Sequence, residues 1–189
     1  MSGRYEIRLG GSGGQGLILA GVILGEAAAI HDGKNAVQTQ SYGPEARGGM
    51  SKSDVIVSNE EIDYPKAYRM DLLLALTQAS FSGYVKDVKP GGLVVYDTSL
   101  VRDVCEGNYR LVGIPIVETA TRAIGKSMVA NVVSLGAIVE LTGIVSKEAV
   151  EKSLMGRAPR GTEEINRRAL HAGYDLVKNA EQKTTAGNR

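Results

Sequence analysis

A chain of 189 residues, 43% of them hydrophobic, is long enough to enclose the core of one α/β domain. Its 22 basic and 21 acidic side chains leave a formal charge of +1 and are mixed along the sequence, which argues against nucleic acid or an anionic membrane as partner. The one cysteine, Cys105, can supply neither an internal disulfide nor the four thiolates of an iron–sulfur cluster; with no signal-like start and no apolar run of bilayer length, a reduced, cytoplasmic protein is expected.

Tyr5–Leu9 alternates apolar residues with Glu6 and Arg8, the period of a half-buried strand. A glycine-rich run, Gly10–Gly16, follows at once. Leu17–Ile30 reads as a helix stopped by His31-Asp32-Gly33, and its small residues Gly21, Gly25 and Ala28 suit close packing on a sheet. Asn35–Thr39 and Ser53–Ser58 are the next strands, joined by Gln40–Lys52. Asp71–Thr77 is continuously apolar, as in a strand buried on both faces. A helix over Ala79–Val88 stops at Pro90-Gly91-Gly92, and Leu93–Tyr96 and Tyr109–Ile114 complete the strands.

Only helices follow. Ile124, Met128, Val132, Leu135 and Val139 form one apolar stripe, expected on a single helix that ends near Gly143. Ser146 caps a short helix, and Thr162 with Glu163 and Glu164 opens the last one. The pattern predicts a doubly wound, Rossmann-like, mostly parallel sheet with helices on both faces and a helical C-terminal region. Residues 1–181 are expected to form a single domain, with 182–189 as a polar, flexible tail.

Gly11, Gly13 and Gly16 match G-x-G-x-x-G between a strand and a helix, where glycines permit a tight turn and the helix N-terminus favours an anion. A dinucleotide site also needs a carboxylate at the end of the second strand to hold the ribose. Here that region reads Val37-Gln38-Thr39-Gln40-Ser41, and Asp32 precedes the strand. The candidates for an anion contact are Gly11, Ser12, Gly13, Gly14, Gln15 and Gly16. Ser12 is assigned to holding the turn; Gln15 could do that or donate to an anion.

Between the second and third strands lies Gln40-Ser41-Tyr42-Gly43-Pro44-Glu45-Ala46-Arg47-Gly48-Gly49, punctuated by turn-forming pairs. Tyr42 and Arg47 have the chemistry of interface anchors, or they pack within the loop. Together with G-S-G-G-Q-G at Gly11–Gly16, S-x-S-D-V-I at Ser51–Ile56, I-D-Y-P at Ile62–Pro65 and G-T-E-E-I-N at Gly161–Asn166, this string makes nearly the whole chain resemble the gamma subunit of 2-oxoacid:ferredoxin oxidoreductases.

The resemblance implies a subunit of an enzyme that oxidatively decarboxylates a 2-oxoacid, 2-oxoglutarate by the look of the strings, to an acyl-coenzyme A and reduces ferredoxin. Thiamine diphosphate and iron–sulfur clusters then belong to alpha, beta and delta partner subunits. The gamma chain has no catalytic or metal-binding residue of its own, and serves assembly and coenzyme A binding. It implies Tyr42, Gly43, Pro44, Glu45, Arg47, Gly48 and Gly49 as an interface. Two other readings stand beside it: an indolepyruvate oxidoreductase subunit, and a free-standing dinucleotide-binding protein. His31 and His171 sit without partners at metal-ligand spacing. Asn131 is a polar residue within an apolar stripe and must find a partner, most simply in a loop.

Overall fold

The computed structural model describes residues 3–42, 50–125 and 127–186. Among these, six strands form one mixed sheet: β1 (Tyr5–Ser12), β2 (Asn35–Tyr42), β3 (Met50–Ser58), β4 (Met70–Ala75), β5 (Val88–Asp97) and β6 (Tyr109–Ile114). Their spatial order is β2-β3-β1-β4-β5-β6. β1, β4, β5 and β6 run parallel, whereas β3 lies antiparallel between β1 and β2. The expected mostly parallel sheet is therefore present with one reversed strand.

The helices among the described residues are α1 (Leu17–Glu26), α2 (Gln78–Tyr84), α3 (Ile116–Ile124), α4 (Ala130–Thr142), α5 (Lys147–Arg157) and α6 (Glu163–Ala186). The two sheet faces are covered unequally. Ile7, Leu9, Val55, Val57, Leu72, Leu74 and Val95 point into a large core shared with α1 and the C-terminal helices. Leu73, Ala75 and Val94 point the other way, against Phe81 of α2 and Val101. Each fully buried Leu, Ile or Phe here contributes about 1.5–3 kcal/mol over an exposed one.

The alternation in β1 has a different cause from the one expected. Glu6 and Arg8 do not face water; both are buried on the α2 side. Glu6 accepts hydrogen bonds from the amides of Tyr68 at 2.7 Å and Arg69 at 3.2 Å and from Arg4 Nε at 2.7 Å. Arg8 forks onto Asp54 of β3, Nε to Oδ1 at 2.7 Å and Nη2 to Oδ2 at 2.9 Å, and reaches Asp87 at 2.8 Å. Its guanidinium carbon lies 5.0 Å from the centre of the Tyr84 ring. Burial alone would lower the arginine pKa, but the hydrogen bond and charge of Asp54 and the charge of Asp87 outweigh it, and the net direction is upward.

The predicted single helix through Ile124 and Val139 is interrupted. Gly125, at φ +77°, terminates α3, and α4 begins only at Ala130. The phase of the stripe is lost at that break, which leaves Met128 84% exposed instead of inward. α4 is buried nearly all round, and α6 meets it backbone to backbone: a Cβ on Gly173 would stand 2.8 Å from the Ala137 nitrogen, and one on Gly136 would stand 3.0 Å from the Gly173 Cα. α1 runs on into a π-helical turn over Ala27–His31, and α6 includes residues 182–186 of the expected tail.

Candidate functional site

β1 ends where the chain leaves the sheet in two directions. α1 follows β1 and packs on the face of the large core; α2 follows β4 and packs on the other. The ends of β1 and β4 are tied together by the Leu76 amide donating to the Gly10 carbonyl at 2.9 Å. α2 comes so close to β1 that a Cβ on Gly10 would stand 3.0 Å from both Ser80 Cβ and the Tyr84 ring. Such a divergence at the carboxyl ends of parallel strands opens the crevice in which α/β folds bind ligands and partners.

The glycine turn occupies that crevice. Gln15 folds back across it, and its Oε1 accepts the Ser12 amide at 2.7 Å, while the Gln15 amide donates to the Ser12 carbonyl at 3.3 Å. Ser12, through its main chain, and Gln15 are thus bonded to each other across the turn. Gly11 is required by the same contact: a Cβ there would meet the Gln15 amide and approach Leu17 Cδ1 to 2.7 Å. Gly14 and Gly16 have φ of +91° and +71°, a region costly for any residue with a Cβ. The space beside Gly14 is open, whereas a Cβ on Gly16 would stand 2.6 Å from Asn131 Nδ2.

Asn131 is the partner of this turn. Its Nδ2 donates to the Gly16 carbonyl at 3.2 Å, which satisfies the buried amide and pins the start of α1 to α4. α1 itself starts at Gly16 with no side-chain cap and no acidic residue in its first turn, so its own sequence places no negative charge at its positive end. Beside it, α1, α4, α5 and the start of α6 enclose an apolar groove of about 610 Å³, lined by Leu19, Ile23, Met128, Val132, Leu154 and Ile165 and with Asn131 in its wall.

The same end of the sheet receives the connection between β2 and β3. Ser12 pairs with Met50 and Tyr42 with Ser51, so both ends of that connection stand at the edge of the crevice. Gly43, Pro44, Glu45, Arg47, Gly48 and Gly49 lie outside the described residues, and Tyr42 is described only in its backbone. The register was the signal that sequence reading lacked: neither the reversal of β3 nor the pairing of Met50 with Ser12 follows from hydrophobic alternation.

The reversal also bears on the dinucleotide reading. In a Rossmann site the second strand adjoins the first, and its terminal acid reaches the ribose. Here β3 separates β2 from β1. The nearby acid in sequence, Asp32, is engaged elsewhere, where its carboxylate accepts the Ser146 amide at 2.6 Å and hydroxyl at 2.7 Å and so braces the start of α5. Among the described residues no group of three or more His, Cys, Asp or Glu side chains is placed to hold a metal ion. The exposed Cys105 has its sulfur 3.4 Å from the Tyr109 hydroxyl, and the His171 ring lies 5.7 Å from that of Tyr174. These residues do not fit an iron–sulfur cluster, which needs four ligands together.

Comparison with known proteins bears on what the crevice serves. A family model described as pyruvate ferredoxin/flavodoxin oxidoreductase matches residues 6–176. The chain is 51% identical over 177 residues to the 2-oxoglutarate synthase subunit KorC of Methanocaldococcus jannaschii, covering 93% of this chain and 95% of that protein. It is 33% identical to the ketoisovalerate oxidoreductase subunit VorA of Methanothermobacter marburgensis, where the match covers 92% of this chain but 36% of the longer relative. The crystal structure of a keto/oxoacid ferredoxin oxidoreductase gamma subunit from Geobacter sulfurreducens superimposes with a TM-score of 0.88 at 51% identity, covering 95% of this chain and 99% of that one.

Proposed function

Since the chain belongs to the pyruvate ferredoxin/flavodoxin oxidoreductase family, we propose that it is the gamma subunit of a 2-oxoacid:ferredoxin oxidoreductase whose substrate is 2-oxoglutarate. The observation that carries this is the near full-length, 51% identity to a 2-oxoglutarate synthase subunit. A subunit of this kind acts inside an assembly. Oxidative decarboxylation needs a group that stabilises an acyl carbanion and clusters that carry electrons away. In this reading thiamine diphosphate and the clusters reside on alpha, beta and delta partners, in the cytoplasm. Residues 1–181 act as one domain in this reading.

The role of this chain's own residues is to shape and orient. In this proposal the turn Gly11–Gly16 and the segment Tyr42–Gly49, with Arg47 as its cation, form one surface facing the partner subunits and coenzyme A. Three features favour an anionic ligand there: the uncapped start of α1, the open flank of Gly14, and a turn made rigid by Gln15. A coenzyme A phosphate would be held by backbone amides of that turn.

The test of the subunit reading is reconstitution. The isolated chain should show no 2-oxoglutarate-dependent reduction of ferredoxin, and activity should appear when alpha, beta and delta partners are added. Turnover by the isolated chain, or a fully active complex assembled without it, would overturn the proposal. The coenzyme A surface is tested separately in the assembled enzyme. Gly14→Ala places a methyl group on the open flank and strains a backbone held at φ +91°, and should raise the KM for coenzyme A several-fold, about 1 kcal/mol, while leaving the KM for the 2-oxoacid unchanged. Equal KM values for coenzyme A would remove the turn from that role.

A further inference from the structure

β2 is the outermost strand of the sheet, and its composition is unusual for an exposed edge. Asn35-Ala36-Val37-Gln38-Thr39-Gln40-Ser41-Tyr42 contains no charged residue and no proline. All eight residues pair with β3 in unbroken register, Asn35 with Ser58 through Tyr42 with Ser51, with no bulge to twist the edge away. Among the described residues no strand lies on its outer side, and Thr39, Gln40 and Ser41 are exposed. The opposite edge, β6, is shorter, carries Arg110 and is followed at once by Pro115. Proteins blunt free edges with charges, proline, bulges or short length, because a bare row of amides and carbonyls is a template for another strand. β6 has such devices and β2 has none.

We propose that β2 is a strand-addition site, and that its occupant is an extended segment of a partner subunit of the same oxidoreductase. The inference rests on the subunit reading given above. Two observations select that occupant. First, the strand is continuous with the end of the sheet assigned to partner contact: Tyr42 closes β2 beside Ser51, and Met50 stands opposite Ser12 of the glycine turn. Second, in the VorA relative the matching region is 36% of a longer polypeptide, so the fold occurs there with other oxidoreductase sequence attached to it. The chemistry of the added strand follows from the face it would extend. Val37, Thr39 and Ser41 share the α2 side of the sheet with Ile56, Asp54 and Lys52, their partners on β3. Small polar and β-branched residues best pair beside Thr39 and Ser41. Main-chain hydrogen bonds supply the affinity, and these side-chain pairs supply the register.

Hydrogen exchange followed by mass spectrometry, on the isolated full-length chain and on the complex assembled with its alpha, beta and delta partners, tests the proposal. In the isolated chain, shown monomeric by its mass in solution, part of the amides across residues 36–42 should exchange rapidly. In the complex, exchange of those amides should slow by about tenfold or more. A complex that assembles while exchange over 36–42 stays unchanged overturns strand addition and leaves the subunit reading intact. Failure of any complex to form overturns both. A dimeric isolated chain with 36–42 already protected overturns the proposal in favour of a second copy of this chain as occupant.

Discussion

Gln15 and Asn131 decide the shape of the glycine turn, and neither belongs to the glycine pattern. Gln15 accepts the Ser12 amide, and Asn131 donates to the Gly16 carbonyl from 115 positions further along the chain. Two substitutions separate their contributions. Gln15→Ala leaves the Ser12 amide to water at a partly buried site and should cost about 1 kcal/mol, read as a lowered Tm. Gly16→Ala forces an alanine to φ +71° and drives a methyl group to 2.6 Å from Asn131 Nδ2, so it should cost more, about 2–3 kcal/mol. Equal losses would mean that Asn131 gives way freely. That Asn131 needs a partner was legible in the sequence, because a polar residue interrupted an apolar stripe. Which loop it bonds was not, since nothing local links it to Gly16.

At the level of strands and helices, the sequence conveyed element types better than their relations. Strand positions were readable from apolar runs, yet the reversal of β3 was hidden, because a strand reads the same in either direction. Buried charges misled for a related reason: Glu6 and Arg8 look like the wet face of an amphipathic strand, while in the fold they are paired across β3 and the segment before β4. Arg8→Met should destabilise the protein by roughly 3–5 kcal/mol in denaturant unfolding, since it strips the buried Asp54 of its two-point partner and leaves it the longer ion pair with Lys52 at 3.7 Å. A loss below about 1 kcal/mol would show that Lys52 or water compensates that carboxylate. Tyr5, at the start of β1, yields a pH prediction. Burial, reinforced by the charge of Asp71, pushes its hydroxyl from the ordinary 10.0 up to about 12. The unfolded chain then loses this proton at a pH where the folded one keeps it, so stability present below pH 10 declines as pH rises from 10 to about 12. Tyr5→Phe should flatten that decline in a series of unfolding curves; an unchanged slope would exclude Tyr5 as its source.

For the molecule as a whole, the class of fold and the family resemblance were visible from short strings, whereas the surface by which the chain works depends on sheet order. The break at Gly125 shows why: one residue with a positive φ splits a stripe that looks continuous, and Met128 moves from the expected core to the wall of an open groove. Sheet order also sets the sequence of events at the ribosome. β1 emerges ahead of every other strand yet sits at the centre of the sheet, with β3 on one flank and β4 on the other. It must therefore wait, unpaired, until Met50 and beyond have been synthesised, while β2 and β3 can zip together by themselves as neighbours in the chain. Nascent chains halted before β3 should expose β1 to chaperones, and those halted after β4 should not.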